Sequence, residues 1–301
     1  MWSLLVLVIT LSFFNIVYSI STVWYESCGS SPLKNLKGCT RRTNRIINGV
    51  PVEKGEIPWQ VSVINEYDRL PMITNCGGSI IGTKHVLTAA HCFEGIVVDH
   101  VRHNPKFELI FVYAGGITDL QSGKKYSVKK VVVHDKFRRL QYNLIHDIAV
   151  ITMQTEFEFG STVQPICLPF MKPSAPDAGS LVVASGWGHT KPKDSACSSN
   201  LLRTDLEVYS FDRQECLDDI HAFTPRCSIL CVHNPLSCTC YGDSGGPLAM
   251  EVDGVCTLVG ITSQGYACGS EGDGSFYTNI SYYLDWIIDN ISERCPTPLN
   301  K

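Results

Sequence analysis

From residue 46 onward the chain alternates short apolar runs with turn residues. The stretches 59–64, 131–133, 148–151, 181–184 and 257–262 are rich in β-branched residues and separated by Gly, Pro, Asn and Asp. Runs of this kind predict strands. Their number predicts an all-β chain folded as a barrel or sandwich. Helical spacing appears only in the tail, over 282–291, where Leu284, Ile287, Ile288 and Ile291 fall on one face. No fixed-period repeat and no low-complexity block interrupts the pattern.

The first residues differ in texture. Residues 4–17 are nearly all apolar, broken by Thr10, Ser12 and Asn15, and small residues follow at Ser19 and Ser21. The run is short of the ~20 residues that span a bilayer. It therefore predicts a signal peptide ending at residue 19 or 21, with a retained membrane anchor as the alternative. The usual basic start is missing, so the α-amino group alone supplies positive charge there. Residues 22–45 form a Ser-, Gly-, Lys- and Arg-rich linker holding Cys28 and Cys39, and ending Arg41-Arg42-Thr43-Asn44-Arg45. Residues 46–301 make up the expected folded domain.

Composition narrows the function. The 301 residues are 44% hydrophobic, enough to bury one large core or two modest ones, and carry a net charge of −4. With no basic field, nucleic-acid binding is disfavoured. Fourteen cysteines, an even number, suggest disulfides and an oxidising, extracellular location. Cys227, Cys231, Cys238 and Cys240 lie close enough to raise a zinc reading, but their spacing lacks the two CxxC-like pairs of a closed site. No metal and no cofactor is expected.

Three strings carry chemistry: Thr88-Ala89-Ala90-His91-Cys92, Asp147-Ile148-Ala149-Val150, and Gly242-Asp243-Ser244-Gly245-Gly246-Pro247. Acyl transfer by a serine needs a base for its proton, a carboxylate to orient that base, and amide donors for the oxyanion. A serine among glycines leaves its backbone N–H groups open to a substrate oxygen. Alone, a His beside a Cys or an Asp-Ile-Ala is more often structural, and a Gly-rich turn is the bland reading of the third string. All three in the order His, Asp, Ser match a known order of the constellation.

On these strings the chain resembles the chymotrypsin–trypsin family of serine proteases, from Arg45 to about residue 290. Ser185-Gly186-Trp187-Gly188, Pro165-Ile166-Cys167-Leu168-Pro169 and Phe276-Tyr277-Thr278-Asn279 support the resemblance. It implies two packed six-stranded antiparallel β-barrels with a cleft between them and a C-terminal helix. It also implies Ser244 as nucleophile, His91 as general acid/base, Asp147 as orienting carboxylate, and the N–H groups of Gly242 and Ser244 as oxyanion hole. Arg45-Ile46-Ile47-Asn48-Gly49 resembles the family's activation junction. Cleavage there by an Arg-specific protease would free an Ile46 ammonium to pair with Asp243, a buried pair that is favourable only when both partners are present.

The resemblance further implies disulfides Cys76–Cys92, Cys216–Cys231 and Cys240–Cys268, and Cys167 joined to Cys28 or Cys39. The second linker cysteine is a candidate partner for Cys256. The pairing of Cys28, Cys39, Cys197, Cys227, Cys238, Cys256 and Cys295 stays open. A further family bridge is replaced by Val182 and Met250. The loop after Gly116, with Lys124 and Lys125, holds only Asp119 as an acid, too few oxygen ligands for calcium. The base of the primary specificity pocket falls on Cys238 beside Thr239, and its walls on Ser263, Gly265 and Ser275. Gln264 stands where the family usually has Trp. With no carboxylate at the floor, an apolar P1 residue is expected, since an unpaired buried cation is costly. Glu271 and Asp273 are the nearby acids that would reverse this.

The sequons Asn279-Ile280-Ser281 and Asn290-Ile291-Ser292 are candidate glycosylation sites, Asn290 the better because Asn279 follows a predicted strand. The expected product is a secreted, monomeric serine endopeptidase made as a zymogen. Its expected partners are protein or peptide substrates, an activating protease and protein inhibitors. Two alternatives stand: a catalytically silent homologue that only binds, and a protease with trypsin-like Arg/Lys preference.

Overall fold

The computed structural model describes residues 28–33, 38–40, 49–68, 70–98, 100–140, 143–170, 175–190, 197–216, 224–234, 239–265 and 274–292. The candidate leader (1–21), the junction at Arg45 and Ile46, and Cys238, Cys268, Glu271, Asp273 and Cys295 lie outside the described residues.

The first half contributes β1 (Val50–Pro51), β2 (Gln60–Glu66), β3 (Ile73–Ile80), β4 (His85–Thr88), β5 (Ile96–Val98) and β6 (Val101–His103). It continues with β7 (Ile110–Ala114), β8 (Lys124–Val133), β9 (Arg138–Leu140), β10 (Asn143–Ile145) and β11 (Ala149–Met153). The second half contributes β12 (Leu181–Gly186), β13 (Leu202–Tyr209), β14 (Ile229–His233), β15 (Pro247–Val252), β16 (Val255–Gly265) and β17 (Ser275–Asn279).

Antiparallel pairing closes β11-β4-β3-β2-β7-β8 into one six-stranded barrel. The order β13-β12-β15-β16-β17-β14 closes a second through the β13–β14 pairing, and β1 adds to the start of β13. These are the two barrels that the resemblance implies. Closure removes the free edges an open sheet would expose.

Local patterns explain the strands. In β8 Tyr126 and Val128 point inward while Lys125, Ser127 and Lys129 face water, the period-two alternation of a half-buried strand. Strand β2 is buried at Gln60–Asn65 without alternation, because both its faces are covered. The β15–β16 hairpin turns on Asp253-Gly254, with φ of 50° and 85° between the paired Val252 and Val255. Positive φ at both positions is what a two-residue hairpin of this twist requires.

The tail forms a helix, α1 (Leu284–Ile291), with Leu284 and Ile287 buried. Helical spacing predicts a start at 282. Instead a 3-10 turn over Ile280–Tyr283 precedes α1, because Asn279 Oδ1 accepts from the Ser281 N–H and caps that turn. One apolar cluster runs from Trp59, Val61 and Ile151 of the first barrel to Leu258 and Ile261 of β16 and Ile287 of α1, and a separate one, with Val182, Leu206, Leu230 and Val259, lies among the strands of the second. Each aliphatic side chain fully buried in either contributes roughly 1.5–3 kcal/mol.

Four disulfides link described residues: Cys28–Cys167, Cys39–Cys256, Cys76–Cys92 and Cys216–Cys231. Cys240 is also disulfide-bonded, to a partner outside the described residues. Cys231 and Cys240 are thus withdrawn from the zinc reading. Beyond the β7–β8 loop, Lys124 pairs with Glu158, and Lys125 with Glu66 at 3.8 Å.

Candidate active site

His91 lies in a 3-10 turn (Ala90–Phe93) that follows β4. Asp147 lies just ahead of β11, and β4 and β11 pair from Thr88↔Ala149. That register brings the two residues together, although 56 positions separate them. Asp147 is buried and its carboxylate accepts three hydrogen bonds. The donors are the His91 N–H at 2.9 Å, His91 Nδ1 at 2.8 Å and Ser263 Oγ at 2.6 Å. Thr278 Oγ1 donates to the Asp147 carbonyl at 2.7 Å. Burial alone would raise the Asp147 carboxyl; the His91 charge and the bonds from His91 and Ser263 outweigh it and hold the group below the usual carboxylate range. An ionised Asp147 can only accept, so His91 Nδ1 carries a proton, and in the neutral ring Nε2 keeps its lone pair.

Ser244 comes from the other barrel, in the turn before β15. The Gly77 N–H of β3 donates to its carbonyl at 2.7 Å, and the Gly245 N–H donates to Thr262 O at 2.8 Å. Gly245 has φ of 79°, and a Cβ there would stand 2.1 Å from Thr88 Oγ1 and 3.1 Å from Ala89 N. Only glycine lets the Ser244 turn pack this closely on the segment leading into His91. Among the described residues no hydrogen bond joins Ser244 Oγ to the His91 ring. Such bonds are often long before substrate binds.

Gly242, with φ of 97°, is held by Asn75 Nδ2, which donates to its carbonyl at 3.4 Å. The free thiol of Cys197 lies beside this contact, its Sγ 3.6 Å from Asn75 Oδ1. Asp243 is buried and accepts from the Gly188 N–H at 2.7 Å and the Cys240 N–H at 2.8 Å. Burial pushes its carboxyl up to about 6 despite those bonds and the nearby His189.

A family model described as Trypsin matches residues 46–287. The chain belongs to the trypsin family. A curated relative, the CLIP domain-containing serine protease B4 of Anopheles gambiae, is 30% identical over 283 residues, covering 88% of this chain and 76% of that protein.

Within this trypsin-family domain the remaining expected site residues are placed as follows. Ser263 and Gly265 lie on β16 and Ser275 on β17, with Gly265 paired opposite Ser275. Thr239 Oγ1 stands 3.0 Å from the Tyr277 hydroxyl. Gln264, the departure from the family's Trp, turns its Oε1 to accept from the Leu144 N–H at 2.7 Å. Asn279 is buried and its Nδ2 donates to Cys227 O, whereas Asn290 is partly exposed.

Sequence reasoning missed three supports. Ser263 reads as a pocket-wall residue, yet its hydroxyl binds Asp147. Thr278 reads as a family match without a role. The glycines of Ser185-Gly186-Trp187-Gly188 have a steric reason: a Cβ on Gly188 would meet the Asp243 carboxylate at 2.4 Å. Only the family resemblance flagged these positions; no local pattern does.

Proposed function

We propose that the chain is the precursor of a secreted serine endopeptidase whose triad is Ser244, His91 and Asp147. The observation that carries this is the buried Asp147 carboxylate bonded to His91 Nδ1, beside the turn that presents Ser244. In this mechanism Ser244 Oγ attacks the peptide carbonyl carbon and its proton passes to His91 Nε2. The resulting imidazolium is stabilised by Asp147, which does not itself take up the proton. The negative oxygen of the tetrahedral adduct accepts from the N–H groups of Gly242 and Ser244. His91 then protonates the leaving amine, and water repeats the cycle on the acyl-enzyme.

Cleavage after Arg45 is the proposed switch. It creates an Ile46 ammonium, a cation to pair with the buried Asp243 carboxylate. Ordering of Gly242 and Ser244, on either side of Asp243, would follow. The signal-like start, the disulfides and the sequon at Asn290 support secretion. Substrates are proteins or peptides, and the activator is a protease that prefers Arg.

By the family resemblance the primary pocket falls on Cys238, Thr239, Gly265 and Ser275, none of them acidic, and the proposed P1 preference is therefore apolar, such as Leu, Met, Phe or Tyr. The test compares cleaved wild type and Ser244→Ala on peptides that differ only in Arg, Leu or Phe at P1. The expected result is turnover of the Leu and Phe peptides and a near-complete loss in the variant, down to a residue of roughly 10³–10⁴ above water in the family example. Undiminished turnover by Ser244→Ala would refute the triad; a clear win for Arg would refute the pocket assignment alone.

A further inference from the structure

The turn that carries Asp147 is built on a residue in the left-handed region. His146 has φ of 52°, a conformation that residues bearing a Cβ enter only at a cost. Its carbonyl accepts from the Ile148 N–H at 2.9 Å, closing the backbone around Asp147. Something must hold it there, and the described contacts identify what does. His146 Nδ1 lies 2.9 Å from the Tyr283 hydroxyl. Its ring stacks on His134 with centroids 4.8 Å apart and an interplanar angle of 11°. His134 packs in turn against Trp286 at 5.0 Å and Tyr283 at 5.5 Å, and its N–H donates to Ile148 O at 3.1 Å. Two histidines are therefore tied to the same turn as Asp147, and the proposed mechanism uses neither.

The stack is built for neutral rings. The Lys136 N–H donates to His134 Nδ1 at 3.2 Å, so that nitrogen is an acceptor and the ring holds its proton on Nε2. A proton on Nδ1 would remove this bond. It would also place a charge against a parallel ring that is itself basic. Burial, then the neighbouring His146, lowers His134 below the usual imidazole range; burial, then Lys136, lowers His146. Asp135, with Oδ1 3.4 Å from His134 Nδ1, favours the charged form of both rings. Tyr283 stays protonated because burial raises its hydroxyl, and Tyr282, Asp147 and Cys227 are the other titratable groups that act on it.

We propose that His146 is a positioning residue for Asp147, and that its stack with His134 holds the Asp147 turn only while both rings are neutral. Mild acid then disables the site through this turn as well as through His91. The proposal rests on the reading of Asp147 as the triad carboxylate.

The test uses the full chain after cleavage. His91 alone gives a one-proton acid limb in kcat/KM; the wild type is expected to fall more steeply. The double variant His134→Phe with His146→Asn, which carries neither proton, returns the limb to one proton. His146→Ala lowers kcat roughly tenfold at neutral pH with KM within about twofold, and His146→Asn recovers most of it because Asn tolerates the left-handed region. A one-proton limb in the wild type, or a wild-type kcat in His146→Ala, would overturn the proposal.

Histidine proton resonances in Ser244→Ala give a reading that needs no turnover. Two rings titrating below the ordinary imidazole range, with the His134 midpoint rising in His146→Asn, support the pair; two independent, ordinary titrations overturn it. If the wild type cleaves no peptide at all, the proposed function has failed, and this titration still decides the fate of the stack.

Discussion

Asp243 accepts two backbone hydrogen bonds and still has its carboxyl raised from 3.8 to about 6, because burial costs more than two N–H groups return. The sign of the consequence follows from linkage. The folded chain holds this proton more tightly than the unfolded chain, so the associated stability is complete below about pH 4 and is lost as pH rises through about 6. The shift corresponds to about 3 kcal/mol. His134 and His146 are lowered instead, so their contribution is present above the ordinary imidazole range and is lost on acidification. Melting of the wild-type precursor thus mixes opposing terms, and a comparison with Asp243→Asn isolates one of them. The variant precursor is expected to gain on the wild type as pH rises from 4.5 to 8, by no more than that amount. Parallel melting curves across the range would contradict a raised Asp243 carboxyl. At this scale the sequence pointed to Asp243 through its glycine-flanked string, but the cost of its burial is visible only with Gly188 and Cys240 in place.

Strands β3 and β4 do more than line the first barrel, since their ends receive the turn that carries Ser244. The Gly77 N–H binds Ser244 O, Thr88 Oγ1 donates to Gly77 O at 2.8 Å, and Gly245 fills the remaining space. Gly245→Ala is expected to destabilise by about 2–4 kcal/mol, combining a left-handed Ala with a clash against backbone and a buried hydroxyl. It should also abolish peptidase activity, because the turn cannot move without carrying Ser244 away from His91. Gly254→Ala is the control. Its φ is 85° but nothing lies within 4 Å of the added carbon, so only the conformational part, about 1–2 kcal/mol, should remain. Equal melting losses in the two variants would show that the packing at Thr88 does not matter. Period-two patterning and the Asp-Gly turn made β8 and the β15–β16 hairpin legible from sequence. The fully buried β2 and the capped turn before α1 were not, because tertiary contacts decide both.

Across the whole molecule the linker is bound to the domain at two points. Cys28 joins Cys167, and Cys39 joins Cys256 in the second barrel. Near them the Gly29 N–H donates to Pro165 O, and the buried Arg203 donates to Thr40 O at 2.5 Å and Glu56 Oε1 at 3.0 Å. Cleavage at Arg45–Ile46 should therefore leave the linker attached. Intact mass without reduction should stay unchanged apart from the added water, and reduction should release the linker. Cys28→Ser or Cys39→Ser alone should retain it, and the double variant should lose it. Loss of the peptide from the non-reduced wild type would sink this expectation.

The sequence by itself determined the class of fold and the residue types of the candidate site. Strand-length β-branched runs have few ways to bury their faces, and His91, Asp147 and Ser244 stand in short, distinctive strings. It left the partner of Cys167 open between Cys28 and Cys39, because cysteine spacing carries no information about which thiols meet. Only the tertiary structure decided that Ser263 and Thr278 support Asp147, and that His146 is clamped by His134 and Tyr283. Those residues lie up to 137 positions apart and in different elements. Their contacts arise from barrel closure and the docking of α1, and a periodic pattern along one chain records neither.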